Sequence, residues 1–416
     1  MPTDTTSIIA LSKTIIDLAQ KFENSATSSK GVQQALVSAS EQLAIAAREP
    51  DDNVYNISGK ISQTAAIRSA IALNTFELMP EDGSTITVKE IASKIDADPE
   101  LIGRILRACS SAHVFGHPTV NEYCHNTLSR VYLQGDNRQL AAQIYDFTGH
   151  AVLAIPDFGE QKKWKSMGDY VRGPFQLGFA TDLGYMEYLQ ANPLRLKSWN
   201  SGMRTGKIGH RTSAFPFDRA LQLDPCGQGG IAIVDVGGGR GQALEGIHQD
   251  YPDLEGRLIL QDLPEVIKDA KANGLPDYIE TTPGTFFGPL AAKGARIYHF
   301  RRVFHIWTQK KALELLENTK NAMDDYSRVL IADMVLADVN CERDLAMQDL
   351  NMMSLGGMER SESEWTSLIE SAGLVLKNIW QNDQGPKHAV VEATLPTFKG
   401  HSLLLSDGVT EYYLAD

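Results

Sequence analysis

Between residues 231 and 394 the chain alternates short β-branched runs with helical segments, and few folds accept that rhythm. The runs are IAIVDV, RLILQDL, RIYHF, SRVLIADMVL and HAVVEATL; between them lie QALEGIHQDY, LPEVIKDAKAN, TQKKALELLENTKNAM and ESEWTSLIESAGL. A strand followed by a crossover helix returns to a parallel neighbour, and the helices then cover both faces of the sheet. Such strands are buried on both sides and read as continuous apolar runs, as these do. Residues 221–416 are therefore expected to form an α/β, Rossmann-like domain with a mostly parallel sheet.

The first half of the chain has a different period. Ile8, Leu11, Ile15, Leu18 and Phe22 fall on one helical face, and Val32, Ala35, Leu36, Ala39, Leu43 and Ala46 on another. From 60 to 112 the pattern is again helical. TVKEIASKI, a turn at Asp96–Asp98 and a helix opening at Pro99 together read as a winged-helix-like unit. Such a unit binds DNA or serves as a packing module, and only Arg104 and Arg107 are basic between Pro99 and Ser111, which favours packing. Residues 1–115 are expected to form a mainly α-helical dimerisation domain, because their apolar faces exceed the partner surface within the domain. Residues 116–220, helical but rich in aromatics, Gly and Pro, are expected to link the two domains and to wall an apolar pocket.

Charge narrows the partners. Lys+Arg 39 against Asp+Glu 52 leaves a net charge of −13, which opposes attraction to nucleic acid or anionic lipid. Cys109, Cys124, Cys226 and Cys341 form no CxxC pair, so the sequence offers neither a disulfide framework nor a structural metal site. The first residues lack a basic stretch, and no apolar run approaches the ~18 residues needed to span a bilayer. A soluble, cytoplasmic protein with no membrane partner is expected.

The most specific motif is Ile233-Val234-Asp235-Val236-Gly237-Gly238-Gly239-Arg240-Gly241-Gln242, a strand running through a glycine turn into a helix. Glycine lets the backbone approach a ligand and take positive φ, and the helix N-terminus presents free N–H groups. A nucleotide-like ligand is implied. A dinucleotide fingerprint would have Gly or Ala where Gln242 stands and has no need of an acid at Asp235. S-Adenosylmethionine meets the pattern better, having an ammonium, a sulfonium and ribose hydroxyls but no phosphate. Asp262, ending LILQDLP, is placed to accept both ribose hydroxyls; its alternative role is to cap the next helix.

The succession IVDVGGGRG, LQDLPEVI, TPGTFFGPL, GARIYHFRRVFHIW, SRVLIADMVL and GGMERSESEW resembles the small-molecule O-methyltransferases of plants and fungi, over about residues 55–395. That family combines the class I methyltransferase fold with an N-terminal dimerisation domain. The resemblance implies a homodimer that binds S-adenosylmethionine and acts in secondary-metabolite biosynthesis. It makes His305 the base that takes the proton from an acceptor hydroxyl, with Asp333 and Glu359 orienting it. Asp235, Gly237, Gly239, Asp262, Leu263, Thr285, Phe286 and Arg301 are expected around the cofactor. The chemistry fits, because displacement at a sulfonium needs two reactants held in line and one proton removed, and histidine titrates in the right range.

Some positions depart from the family pattern. Thr285 stands where an acid is usual, the HDW-type motif reads His305-Ile306-Trp307, Gln309 replaces a second acid, and Arg296 occupies a position where Asp is common. Some fungal members of this fold are pericyclases that bind the cofactor without consuming it, and the chain keeps that alternative open. Phe175, Met203, Phe215, Met352 and Met353 are expected to face the small-molecule substrate, with His125, Arg204 and His210 as further polar contacts.

Overall fold

The computed structural model describes residues 7–24, 30–196, 215–227, 229–381, 389–406 and 409–414. The chain divides into two compact units, Met1–His150 with Met186–Ile208, and Ala151–Tyr185 with Gly209–Asp416. The 116–220 stretch, expected as one linker, is thus shared between both. Ala142 and Leu133 pack into the core of the first unit, whereas Phe215 and Phe217 belong to a core of the second.

In the first unit the helices Ile8–Asn24 and Lys30–Ala46 correspond to the two amphipathic segments. The winged-helix-like part is built as its sequence requires. Thr87 and Glu90 form a reciprocal capping box that starts helix Val88–Ile95, Asp96 closes it in the left-handed region at φ 52°, and Asp98 caps helix Pro99–Ser111. Strands β1 (Ile86–Thr87), β2 (Gly116–Thr119) and β3 (Glu122–Cys124) form an antiparallel sheet in the order β1-β3-β2, with β2 and β3 as the wing. Phe76, Ile91, Ile102, Leu106, Phe115 and Tyr123 fill the core. Val54, Tyr55, Ile57 and Ile61 are exposed along helices Pro50–Ser58 and Lys60–Ala72.

The second unit holds the expected sheet. Its strands are β4 (Ile231–Val236), β5 (Arg257–Asp262), β6 (Ile279–Pro283), β7 (Ile297–Arg301) and β8 (Arg328–Asp333), followed after a short β9 (Val335–Leu336) and β10 (Arg360–Ser361) by β11 (Val375–Trp380) and β12 (Ala389–Thr394). The order is β11-β12-β8-β7-β4-β5-β6, with β12 alone antiparallel to its neighbours. This is a Rossmann-like class I methyltransferase sheet, in which the strand order reverses between β4 and β7. Along β8, Val329 and Ile331 face one core and Leu330 the other, so helices cover both faces. The carboxyl ends beside the reversal are where open α/β sheets bind ligands.

One buried ionic knot ties the sheet together. Arg328 donates to Glu392 Oε1 at 2.5 Å and to Asp224 Oδ2 at 2.7 Å, and Trp380 Nε1 donates to Glu392 Oε2 at 2.8 Å. The side chains of Arg328, Asp224 and Glu392 are 2–4% exposed, so the two carboxylates compensate a desolvated guanidinium. Among the described residues no helix is long and apolar enough to cross a membrane, and no group of three His, Cys, Asp or Glu side chains is placed to hold a metal.

Candidate active site

The glycine turn follows β4 as the motif requires. Gly237, Gly239 and Gly241 have φ of 71°, 62° and 89°, a region that disfavours side chains, and Gly241 precedes helix Gln242–Asp250. At Gly238 the constraint is space, since a Cβ would strike the Asp235 carboxylate and Leu260. Asp235 is fully buried; its Oδ1 meets Nδ1 of His299, the residue opposite it on β7, at 2.8 Å. Its Oδ2 has no partner among the described residues. A desolvated oxygen left open beneath a glycine turn fits a ligand carrying an ammonium or hydroxyl group.

Asp262, at the end of β5, faces the same turn. Its Oδ2 accepts from Gly239 N–H at 2.8 Å and its Oδ1 from Leu263 N–H at 2.7 Å. Burial nonetheless raises its pKa above the ordinary carboxylate value, outweighing both hydrogen bonds. Each oxygen keeps a second acceptor position, as recognition of a ribose diol needs. Phe286 rests against Gly237 and, with Phe287, Trp307 and Tyr170, builds an aromatic group; Phe287 and Trp307 are 4.7 Å apart at 89°. Thr285 is exposed, and its Oγ1 accepts from Phe287 N–H at 3.1 Å, which shapes the turn beneath these rings. Arg301 ends β7, and burial lowers its pKa even though Asp235 acts in the opposite sense.

His305 sits in the 3-10 turn Phe304–Ile306, reached from β7 through Arg302 at φ 56°. A non-glycine residue there is strained by roughly 1–3 kcal/mol, and such strain persists only where its surroundings enforce it. Here Arg302 N–H donates to Ala332 O and Phe304 N–H to Asp333 Oδ2, both at 3.2 Å. The His305 Nδ1 lies 3.1 Å from Glu359 Oε1, while Glu359 N–H donates to Asp349 Oδ1 at 2.9 Å. A carboxylate on Nδ1 assigns the proton to that nitrogen and leaves the lone pair on Nε2. His305 keeps 14% of its side-chain surface and Glu359 1%, so the acid lies behind the ring.

The electrostatics follow from these contacts. Burial disfavours the His305 imidazolium, but the Glu359 hydrogen bond and the charges of Asp333 and Glu359 outweigh it and raise the histidine above its ordinary value. Burial first, and then Glu359, pushes Asp333 up to about 6 against the pull of His305. Asp333 Oδ1, Glu359 Oε2 and Trp307 Nε1 are buried without partners among the described residues.

The structure thus places Asp235, Gly237, Gly239, Asp262, Leu263, Thr285, Phe286, Arg301, His305 and Asp333 at the carboxyl ends of β4, β5, β6, β7 and β8 and in the turns that follow them, with Glu359 just before β10. The residues expected at the substrate fare differently. Met352 and Met353 are half-buried on helix Arg343–Ser354. Phe175 is instead fully enclosed, packed on Phe179, and Phe215 is held edge-on by Phe217 and Trp380, so both rings are core. His125 is buried in the first unit with Nδ1 on Ser129 Oγ at 2.9 Å and Nε2 on Phe76 O at 3.0 Å, which makes it an anchor of that unit. Met203, Arg204 and His210 lie outside the described residues. Sequence reasoning missed His299, whose signal was a polar residue inside an apolar strand, and Arg360, which follows Glu359 directly.

A sheet with this strand order, an acid–glycine turn and a histidine–carboxylate cluster at its switch point defines a Rossmann-like methyltransferase. Residues 219–375 match the model of the O-methyltransferase domain and residues 56–135 that of the O-methyltransferase dimerisation domain. An O-methyltransferase of Pestalotiopsis microspora is 89% identical over 97% of this chain and 100% of its own length. The chain belongs to the O-methyltransferase family. The crystal structure of OxaC with SAH and oxaline superposes with a TM-score of 0.81 at 27% identity, covering 93% of this chain and 98% of OxaC. A structure described as a pericyclic reaction enzyme superposes with a TM-score of 0.80 at 26% identity, covering 93% of this chain and 99% of that one.

Proposed function

We propose that the protein transfers a methyl group from S-adenosylmethionine to a hydroxyl of an aromatic or polyketide-like secondary metabolite, with His305 as the base. The observation that carries this is the Glu359–His305 pair: an imidazole whose Nδ1 is engaged from behind, leaving Nε2 for an acceptor hydroxyl, beside the glycine turn of the same sheet. The cofactor, when bound, supplies the electrophilic methyl group. Asp235 Oδ2 and the Asp262 carboxylate are the acceptors that would hold it, and Phe286 and Trp307 wall the space beside Gly237.

The chain's own part is then positional and acid–base. His305 Nε2 takes the acceptor proton as the oxygen becomes nucleophilic, and the imidazolium that forms is stabilised by Glu359 and Asp333. Met352 and Met353 offer adaptable apolar surface to the acceptor. The exposed Val54, Tyr55, Ile57 and Ile61, at and beside the dimerisation-domain match, support a homodimer.

A second reading, pericyclic catalysis with intact cofactor, is favoured by the structural likeness to the pericyclic enzyme and by neutral Thr285, Ile306 and Gln309. One incubation with cofactor and the pathway's own intermediate separates the two. Methyl transfer gives one demethylated cofactor per product, and His305→Ala lowers the rate by about 10²–10⁴. Product that accumulates with an unchanged methyl count and unconsumed cofactor would replace the first reading by the second.

A further inference from the structure

The loop that carries His305 is gripped by a buried cation, Arg360. Its Nη1 donates to Phe304 O at 3.2 Å and its Nη2 to Trp307 O at 3.0 Å, the carbonyls on either side of the His305–Ile306 pair. Its Nε donates to Gln309 Oε1 at 3.2 Å, and its guanidinium stacks on Trp365 with 5.3 Å to the ring centroid. Arg360 has no exposed surface. Neighbouring residues complete the grip: Met358 N–H donates to His305 O at 2.9 Å, and Gly357 passes so close that a Cβ would strike the same carbonyl. Main chain, imidazole and flanking carbonyls of one turn are therefore all held from residues 357–360.

The hydrogen-bond partners of Arg360 are two carbonyls and an amide, all neutral. A buried guanidinium without a paired carboxylate is costly unless charge nearby compensates it. The nearest compensation comes from Asp333 on β8, Glu359 before β10, Glu364 on helix Glu362–Ser371 and Asp349 on helix Arg343–Ser354. Two of these, Asp333 and Glu359, also act on His305, which in addition faces the cation of Arg302.

We propose that Arg360 is a positioning residue for His305: it fixes the turn through the Phe304 and Trp307 carbonyls, and the neutral side chain of Gln309 leaves its charge free to offset Asp333 and Glu359. The acids stabilise the imidazolium, and Arg360 limits that stabilisation, so that the base sheds its proton at a lower pH than Glu359 and Asp333 alone would allow. Burial lowers the pKa of Arg360 to about 10, which still leaves it a cation at neutral pH. The inference rests on His305 being the base; the charge of Arg360 reaches the imidazole through Asp333 and Glu359, with which it interacts, so the titration of His305 tests it whatever the reaction.

The test therefore reads His305 directly, by NMR titration of the full-length protein labelled at histidine Cε1, with His305→Gln assigning the signal. Gln309→Glu, at an exposed position, should raise the His305 midpoint by about half a pH unit, and Arg360→Met by at least as much, because the first pairs the Arg360 cation with an added carboxylate and the second deletes it. Arg360→Lys keeps the charge and loses the fork, so the midpoint should stay in place while kcat falls tenfold or more with KM nearly unchanged. If Arg360→Met does not fold, Gln309→Glu alone decides the electrostatic half. A His305 midpoint unmoved in Gln309→Glu, or full kcat in Arg360→Lys, overturns the proposal. If no methylated product forms with any variant or with the wild type, the reading of the reaction fails, while the titration still decides the field of Arg360.

Discussion

Replacing Glu359 by Gln removes a charge and nearly nothing else, since the amide oxygen can still accept from His305 Nδ1. The carboxylate oxygen lies 3.1 Å from that nitrogen. At an effective dielectric near 20, unit charges at this separation interact by about 5 kcal/mol, an upper bound; neighbouring charges of this kind move a pKa by about 1–3 units. In the wild type the His305 pKa lies above its ordinary value. A neutral base is needed for proton removal, so the rate should fall as pH drops through that raised value. In Glu359→Gln the charged hydrogen bond and the charge of Glu359 are gone, and only Asp333 still opposes burial and Arg302, which both favour the neutral imidazole. The acid limb of the pH–rate profile should move down by about one unit or more. The plateau should also fall, by about tenfold, because a less basic imidazole removes the proton less readily. Stability changes with the same sign: a raised folded-state pKa favours the native state below the ordinary histidine value, and that contribution fades as pH rises through the raised value. The variant should lose it at low pH and match the wild type above. Methyl transfer followed by mass spectrometry from pH 5 to 9 supplies the profile. An acid limb that stays in place or moves up would refute the reasoning.

Three further outcomes follow from other parts of the structure. Gly238→Ala should weaken S-adenosylmethionine binding at least tenfold by calorimetry with an unchanged circular dichroism spectrum, since the new Cβ meets the Asp235 carboxylate; wild-type affinity would remove the glycine turn from the cofactor site. Arg328→Met should destabilise the protein by about 3–5 kcal/mol in denaturant titration, because Glu392 would be left buried with no cation and Asp224 with only His401 beside it; a loss below about 1 kcal/mol would show that the ionic knot is structurally dispensable. Light scattering at micromolar concentration should give twice the 45.7 kDa mass of one chain, and a monomer mass would contradict the dimer.

The sequence alone determined the elements and their order. Alternating β-branched runs and helices specified a parallel sheet because burial on both faces leaves no other use for such strands. The glycine turn after β4 was legible because positive φ and close approach admit little but glycine, and Asp262 because it ends the next strand. TVKEIASKI and Pro99 announced their helices through local chemistry, and the structure shows Thr87, Glu90 and Asp98 capping them. His305, Asp333 and Glu359 were legible only as members of a motif succession. That Glu359 reaches the ring at 3.1 Å while Asp333 holds Phe304 N–H depends on how segments 54 and 29 residues apart pack. His299 is paired with Asp235 because β4 and β7 are neighbours in register, across 64 residues of chain. Phe175, Phe215 and His125 show the converse. An aromatic or histidine in a pocket-like composition is chemically suited to a ligand, but the tertiary structure spends all three on packing and internal hydrogen bonds. Local periodicity encodes which face of an element is apolar, whereas the partner that face meets is set only when distant segments come together.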